Sequence, residues 1–253
     1  MSFYKITNQT KNLIGRKDHQ CCWIPITTIE NLSQDYNYGN YIRKVIIPEG
    51  STITKERNHY YIDQVILGDR YPLLEVQTIQ KFNLKITKTY IEKLGKLGKL
   101  NTLKHIVKNS LYKESLIPCI LKASHYGQLL ILDYILDQHP NYMDPMLVYQ
   151  FGPKKIEAYV EGIKHAGLGS NYDSLKWWEN YLKARDLTLT NEQIKYIRRK
   201  AKDKSWKNMF VDTICPEYKV IITHEEEKKV ESILGLILFL SIVYGLLIMF
   251  GFL

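Results

Sequence analysis

The sequence predicts a mainly α chain in four parts: a small α+β unit over residues 1–80, stacked short helices over 81–215, a charged linker over 216–231, and one transmembrane helix over 232–253. Three observations predict it. Before residue 72 apolar residues come in short runs cut by turn residues, and beyond it they recur at helical spacing. The helical pieces run to about ten residues, too short to hold their own helicity, so they must stack. Residues 233–253 contain no charge at all. With 253 residues, 45% apolar and 24% charged, global disorder, collagen and a disulfide mini-protein are excluded.

Within the first part, residues 42–47 (IRKVII) read as a strand that Pro48, Glu49 and Gly50 stop. Residues 60–67 (YYIDQVIL), bounded by Asn58 and Gly68, read as another, with Tyr61, Val65 and Leu67 on one parity. Residues 26–40 read as a short helix and a loop. Helical pieces then follow at 86–94, 100–107, 116–126, 129–136, 156–165, 174–184 and 191–204.

These pieces repeat. Gly98 with Leu103, Ile106 and Val107 superposes on Gly127 with Leu132, Ile135 and Leu136, a shift of 29 residues. Ser170, Leu175, Trp177 and Trp178 continue the series at a shift of 43, and a fourth copy runs from Ala201 and Ser205 to Phe210 and Ile214. Leu94, Ala123 and Ala166 each stand four positions before the turn. The first helix of a unit needs small or apolar residues where its partner crosses, the turn favours Gly, and the second helix supplies large apolar residues at i, i+3 and i+4. That is the logic of ankyrin repeats, here in degenerate form.

On these residues the chain resembles the ankyrin-repeat proteins of giant DNA viruses of the mimivirus group. Ala123-Ser124-His125-Tyr126-Gly127-Gln128-Leu129 followed by Leu132-Asp133-Tyr134-Ile135-Leu136 is similar to their Ala-Ser-x-x-Gly-His-Leu-x-x-Val-x-Tyr-Leu repeat. Their shared N-terminal unit is matched by Tyr4-Lys5-Ile6-Thr7-Asn8, by Tyr38-Gly39 with Ile42-Arg43-Lys44-Val45-Ile46-Ile47-Pro48, and by Val65-Ile66-Leu67-Gly68-Asp69-Arg70-Tyr71. The Thr-Pro-Leu-His element of well-formed repeats is missing throughout. The resemblance implies a viral protein that presents a repeat surface to other proteins.

The uncharged C-terminal run would span roughly 31 Å as a helix, matching a hydrocarbon core of about 30 Å. Its expected lipid-facing residues are Ile233, Leu236, Leu240, Val243, Leu247 and Phe250, with Lys228 and Lys229 outside the span. Residues 1–13 lack the apolar stretch of a signal peptide. The expected address is therefore a single-pass tail anchor in a host or virion membrane, its N-terminus cytosolic, with the lipid bilayer as one partner.

Net charge is +9. Eight lysines oppose one glutamate over residues 81–108, and seven Lys or Arg oppose one aspartate over 195–207. Arg198, Arg199, Lys200 and Lys204 are the candidate contacts to an anionic surface, whether lipid headgroups or phosphates. Trp177, Trp178 and Tyr181 are the candidate protein-binding residues, since an exposed Trp beside Lys176 would suit an interface hot spot; packing of both tryptophans in the core is the competing reading.

No Walker A loop, GxGxxG, GxSxG, HExxH or paired CxxC occurs, so no catalytic residue, metal ligand or cofactor is assigned. Cys21, Cys22, Cys119 and Cys215 read as free thiols in a reducing compartment. The expected function is a membrane-anchored, non-enzymatic protein presenting an ankyrin-like surface to a protein partner. One alternative is a small N-terminal enzyme, which requires Tyr4, His19, Arg43 and His59 to converge, or Cys21 or Cys22 to meet His59. Another is nucleic-acid binding at a membrane-bound viral factory.

Overall fold

The computed structural model describes residues 2–8, 13–14, 23–112, 116–136, 148–151, 154–201 and 203–214. Seven strands, β1 (Phe3–Thr7), β2 (Leu13–Ile14), β3 (Ile24–Thr28), β4 (Tyr41–Ile46), β5 (Ile53–Glu56), β6 (His59–Ile62) and β7 (Val65–Pro72), form one antiparallel sheet in the order 2-7-4-1-3-6-5. Alternate residues of β1 serve two cores, as a period of two demands: Tyr4 and Ile6 join the large core toward the helices, while Phe3 packs on a smaller one. That smaller core unites Ile24, Ile26, Val45, Ile62, Val65 and Leu67, drawn from strands far apart in the order, so the sheet curls around it. A bulge between Arg43 and Val45 helps the bend.

The helices are α1 (Val76–Phe82), α2 (Lys88–Leu97), α3 (Leu100–Lys108), α4 (Ile117–Tyr126), α5 (Leu129–Leu136), α6 (Ala158–Leu168), α7 (Tyr172–Ala184), α8 (Asn191–Lys200) and α9 (Lys204–Ile214). A hairpin of β8 (Val148–Phe151) and β9 (Lys154–Glu157) precedes α6. From α2 onward the helices alternate between two layers, with α2–α3, α4–α5 and α6–α7 packed as pairs and α8 and α9 extending the two layers. The first members, α2, α4, α6 and α8, pack in sequence on one another, and α3, α5, α7 and α9 form the second layer. Each start has its local cause: Thr87 caps α2 through Tyr90 N–H, Pro118 opens α4, Asn171 caps α7 through Ser174 N–H at 2.8 Å, and Thr190 with Gln193 makes a capping box on α8.

The sheet closes one end of this array. Ile6, Tyr36, Ile42, Leu73 and Leu74 belong to the same core cluster as the helix pairs. Tyr36 Oη–H donates to the Lys85 carbonyl at 2.9 Å, Tyr90 Oη–H to Leu73 O at 2.8 Å, and Thr102 Oγ1–H to Leu74 O at 2.6 Å. A repeat array needs such an end cover, because each pair leaves an apolar face for its neighbour.

Several expectations are corrected. The architecture is mixed, not mainly α: among the described residues the N-terminal unit is a seven-stranded sheet with one 3₁₀ turn (Leu32–Asp35). Residues 26–40, read as a short helix and a loop, hold the short 3₁₀ helix at Leu32–Asp35, but their first residues belong to β3, which continues to Thr28 because its Ile and Thr residues pair with β1 and β6. The single strand read at 60–67 is two, since the chain leaves the β3–β6 pairing at Ile62 and re-enters beside β4 at Val65. The long helix read at 191–204 breaks at Ala201, whose backbone is extended.

The membrane expectations are overturned as well. No helix among the described residues is long and apolar enough to cross a membrane. The longest, α7, has 13 residues, against roughly 20 for a bilayer, and it carries Asp173, Lys176, Glu179 and Lys183. The transmembrane element of the fold class, the single-pass tail anchor, the bilayer as a partner and the membrane location are corrected accordingly: none has a membrane-spanning helix behind it among the described residues. The expected anchor residues Ile233, Leu236, Leu240, Val243, Leu247 and Phe250 lie outside the described residues.

Candidate interaction surface

The turns that end α2 and α4 set the geometry of the array. Gly98 (φ 64°, ψ 31°) and Gly127 (φ 72°, ψ 29°) are left-handed C-caps whose N–H groups return to Leu94 O and Ala123 O. Ser170, also at positive φ (49°), occupies the matching place after α6, where Asn171 N–H returns to Ala166 O. Each turn is then touched by the next: Gln128 lies against Gly98, and Asn171 against Gly127. Side chains therefore stitch successive turns together along one edge of the array.

Small residues bring the first helices close. A side chain at Gly95 would collide with the backbone of Cys119 on α4, and one at Gly169 with the carbonyl of His125. The first helices consequently lie nearer to each other than the second helices do. A stack spaced more closely on one side curves toward that side, which makes the first-helix side the concave one. Glu161, fully buried on α6, ties α6 to α8 by accepting from Tyr196 Oη–H at 2.7 Å and from the Lys164 ammonium.

Where the concave side meets the sheet, the 37–40 turn, α2 and α4 enclose a cleft of about 400 Å³. Lys93, Lys96 and Lys122 line it against the single acid Glu92, with Leu97 and Tyr126 half-exposed at 40% and 41%. Burial and the neighbouring Lys96 draw the Lys93 ammonium down to about 8, and it donates to Tyr36 O at 2.8 Å and to Gly39 O. Lys96 Nζ stands 5.2 Å from the Tyr126 ring centroid. Beside the cleft His165 is held down to about 4 by burial, then by Lys164, His125 and Lys122.

The sequence-derived candidates fall elsewhere. Trp178 (1% exposed) and Tyr181 (4%) are interior, so their surfaces face the array and not a partner. Trp178 Nε1–H donates to Ser124 Oγ at 3.1 Å. Trp177 is half-buried, stacked on Tyr181, and donates to Asp133 Oδ1 at 2.5 Å, joining α7 to α5. Arg199, Lys200 and Lys204 are exposed around the turn from α8 to α9, and Arg198 is half-buried on α8. Of the lysines that line the cleft, Lys93 and Lys96 of α2 belong to the basic run read at 81–108, whereas Lys122 of α4 was not singled out by sequence. A signal was present, since Lys93 and Lys122 stand at the same offset before the turn glycines Gly98 and Gly127.

Of the residues of the enzymatic alternative, the described Tyr4, Arg43 and His59 do not line one common site. Tyr4 lines a hollow with Thr28 and Tyr60, while His59 lines a different cleft of about 730 Å³, its Nε2 2.9 Å from Asp35 Oδ1. Arg43 is buried and donates to Gly68 O at 2.8 Å and Leu67 O at 2.9 Å, pinning β7 to β4. His19, Cys21 and Cys22 lie outside the described residues. Among the described residues no group of three or more His, Cys, Asp or Glu could hold a metal ion. No protein-family model, no curated protein and no solved structure matches the chain.

Proposed function

We propose that this chain is a protein-interaction scaffold, its ankyrin-like helix pairs presenting their concave first-helix face to a partner protein and its sheet closing one end of the array. The observation that carries the reading is the close packing of the first helices, with the turns after α2 and α4 each touched by the next: a concave surface built from successive equivalent helices is what extended partners dock against. The resemblance of the repeats and of the N-terminal strings to giant-virus ankyrin-repeat proteins supports the same reading and makes a viral origin part of it.

Cross-linking of the full chain in a cell extract, followed by mapping of the linked lysines, tests it. Reproducible inter-protein links at Lys93, Lys96, Lys122 or Lys195, with few at Lys104 and Lys108 on the second layer, are the expected result. Links confined to the second layer or to the sheet would refute it.

A further inference from the structure

The cleft between the 37–40 turn and the first two inner helices has a composition that narrows its occupant. Lys96 and Lys122 have no carboxylate within ion-pairing distance among the described residues, although each lines a cavity of about 400 Å³, a volume within the range of ligand clefts. Cations without a carboxylate partner around a concavity attract and orient an anionic group. Apolar surface lies beside them: Leu97 and Tyr126 end equivalent helices one repeat apart, and both remain about two-fifths exposed in a molecule whose other first-helix apolar residues are largely buried.

A nucleic acid fits this less well. The face of Tyr126 that a base would stack on is shared with the Lys96 ammonium, and Glu92 stands in the cleft where a dense row of phosphates would pass. A peptide with spaced carboxylates and one apolar side chain satisfies both features. We propose that this cleft holds an extended acidic segment of a partner protein, its carboxylates on Lys96 and Lys122 and one aliphatic or aromatic side chain against Leu97 and Tyr126. The proposal rests on the reading of the first-helix face as the binding face and names the partner's chemistry at one end of it.

Fluorescence anisotropy on the full chain tests it, with the labelled peptide Gly-Glu-Glu-Leu-Glu-Glu-Gly, its all-Gln counterpart, its Leu-to-Gly counterpart and a labelled oligothymidylate as probes. The Glu peptide should bind, and the double substitution Lys96→Glu, Lys122→Glu should weaken it about tenfold or more, the value expected for two reversed charge contacts. Removing the Leu should weaken it about threefold. The control pair Lys104→Glu, Lys108→Glu, on the second layer, should leave binding unchanged, and Lys96→Gln, Lys122→Gln should fall between. Circular dichroism of each variant establishes that it is folded. Absent binding of the Glu peptide, equal binding by the Gln peptide, indifference to the double substitution, or preference for the oligothymidylate would each overturn the proposal. If the peptide fails while cross-links still map to the first-helix face, only the acidic-segment inference falls; if the cross-links also move off that face, the scaffold reading falls with it.

Discussion

Substituting alanine at Gly98 and at Gly127 separates two costs that one substitution would mix. Both glycines have nearly the same backbone, φ 64° and ψ 31° against φ 72° and ψ 29°, so the conformational cost of a side chain in the left-handed region, about 1 kcal/mol, is common to both. Their neighbours differ. A Cβ at Gly98 meets the end of the Gln128 side chain, whose one hydrogen bond is long, 3.4 Å from Nε2 to Lys96 O. A Cβ at Gly127 meets the carboxamide of Asn171, and that group is the N-cap of α7, accepting from Ser174 N–H at 2.8 Å. Displacing it forfeits a cap worth about 1 kcal/mol. Gly98→Ala should thus cost about 1 kcal/mol and Gly127→Ala about 2 kcal/mol. Urea denaturation followed by tryptophan fluorescence measures both. In an Asn171→Ala background the excess at Gly127 should vanish, because the cap is already gone. Equal costs for the two single substitutions, or an excess that survives in that background, would refute the idea that each turn is braced by the next.

Trp178→Ala should destabilise the array by at least about 4 kcal/mol, combining a large core void with an unpartnered, fully buried Ser124 hydroxyl; a urea midpoint close to wild type would contradict its interior placement. Gly95→Val should cost about 2 kcal/mol or more, since α2 and α4 must separate to admit the side chain, and undiminished thermal stability would argue against their close approach. His165 carries a pH signature. Its folded pKa, about 4, lies below its ordinary 6.5, so between those values the unfolded chain binds the extra proton and stability rises with pH. Its contribution is complete above pH 6.5 and lost on acidification to about 4, at most about 3 kcal/mol in all. His165→Gln should flatten that part of the urea midpoint against pH, and an unchanged slope would sink the assignment.

Much of the helical layer was legible because its signals are local. The helix expected over 129–136 is found at Leu129–Leu136, and that over 116–126 at Ile117–Tyr126. Their limits are set by a turn glycine, a proline or a cap within a few residues, and by apolar spacing along one face. The strands were poorly legible for the opposite reason. β3 and β5 are four or five residues long, and what holds β3 is its pairing with β1, over 20 positions away, and with β6, over 30 away. The cleft was missed because it needs two helices a repeat apart and a turn from the sheet to meet, which no window along the chain reveals. The tryptophans show the limit within one helix: spacing separates Trp177 from Trp178 by about 100°, but only the packed neighbours, Asp133 on one side and Ser124 on the other, decide how each indole is used.

By itself, then, the sequence determined the helix pairs, their 29-residue offset between the first two units and the turns that close them, since these follow from backbone preferences and periodicity over a few residues. Tertiary structure alone decided the curled seven-stranded sheet, the burial of Arg43 and Glu161, and the gathering of Lys93, Lys96 and Lys122 around one cleft. Strand pairing, desolvation and charge proximity are properties of residues brought together across the chain, and their energies exist only once that approach is made.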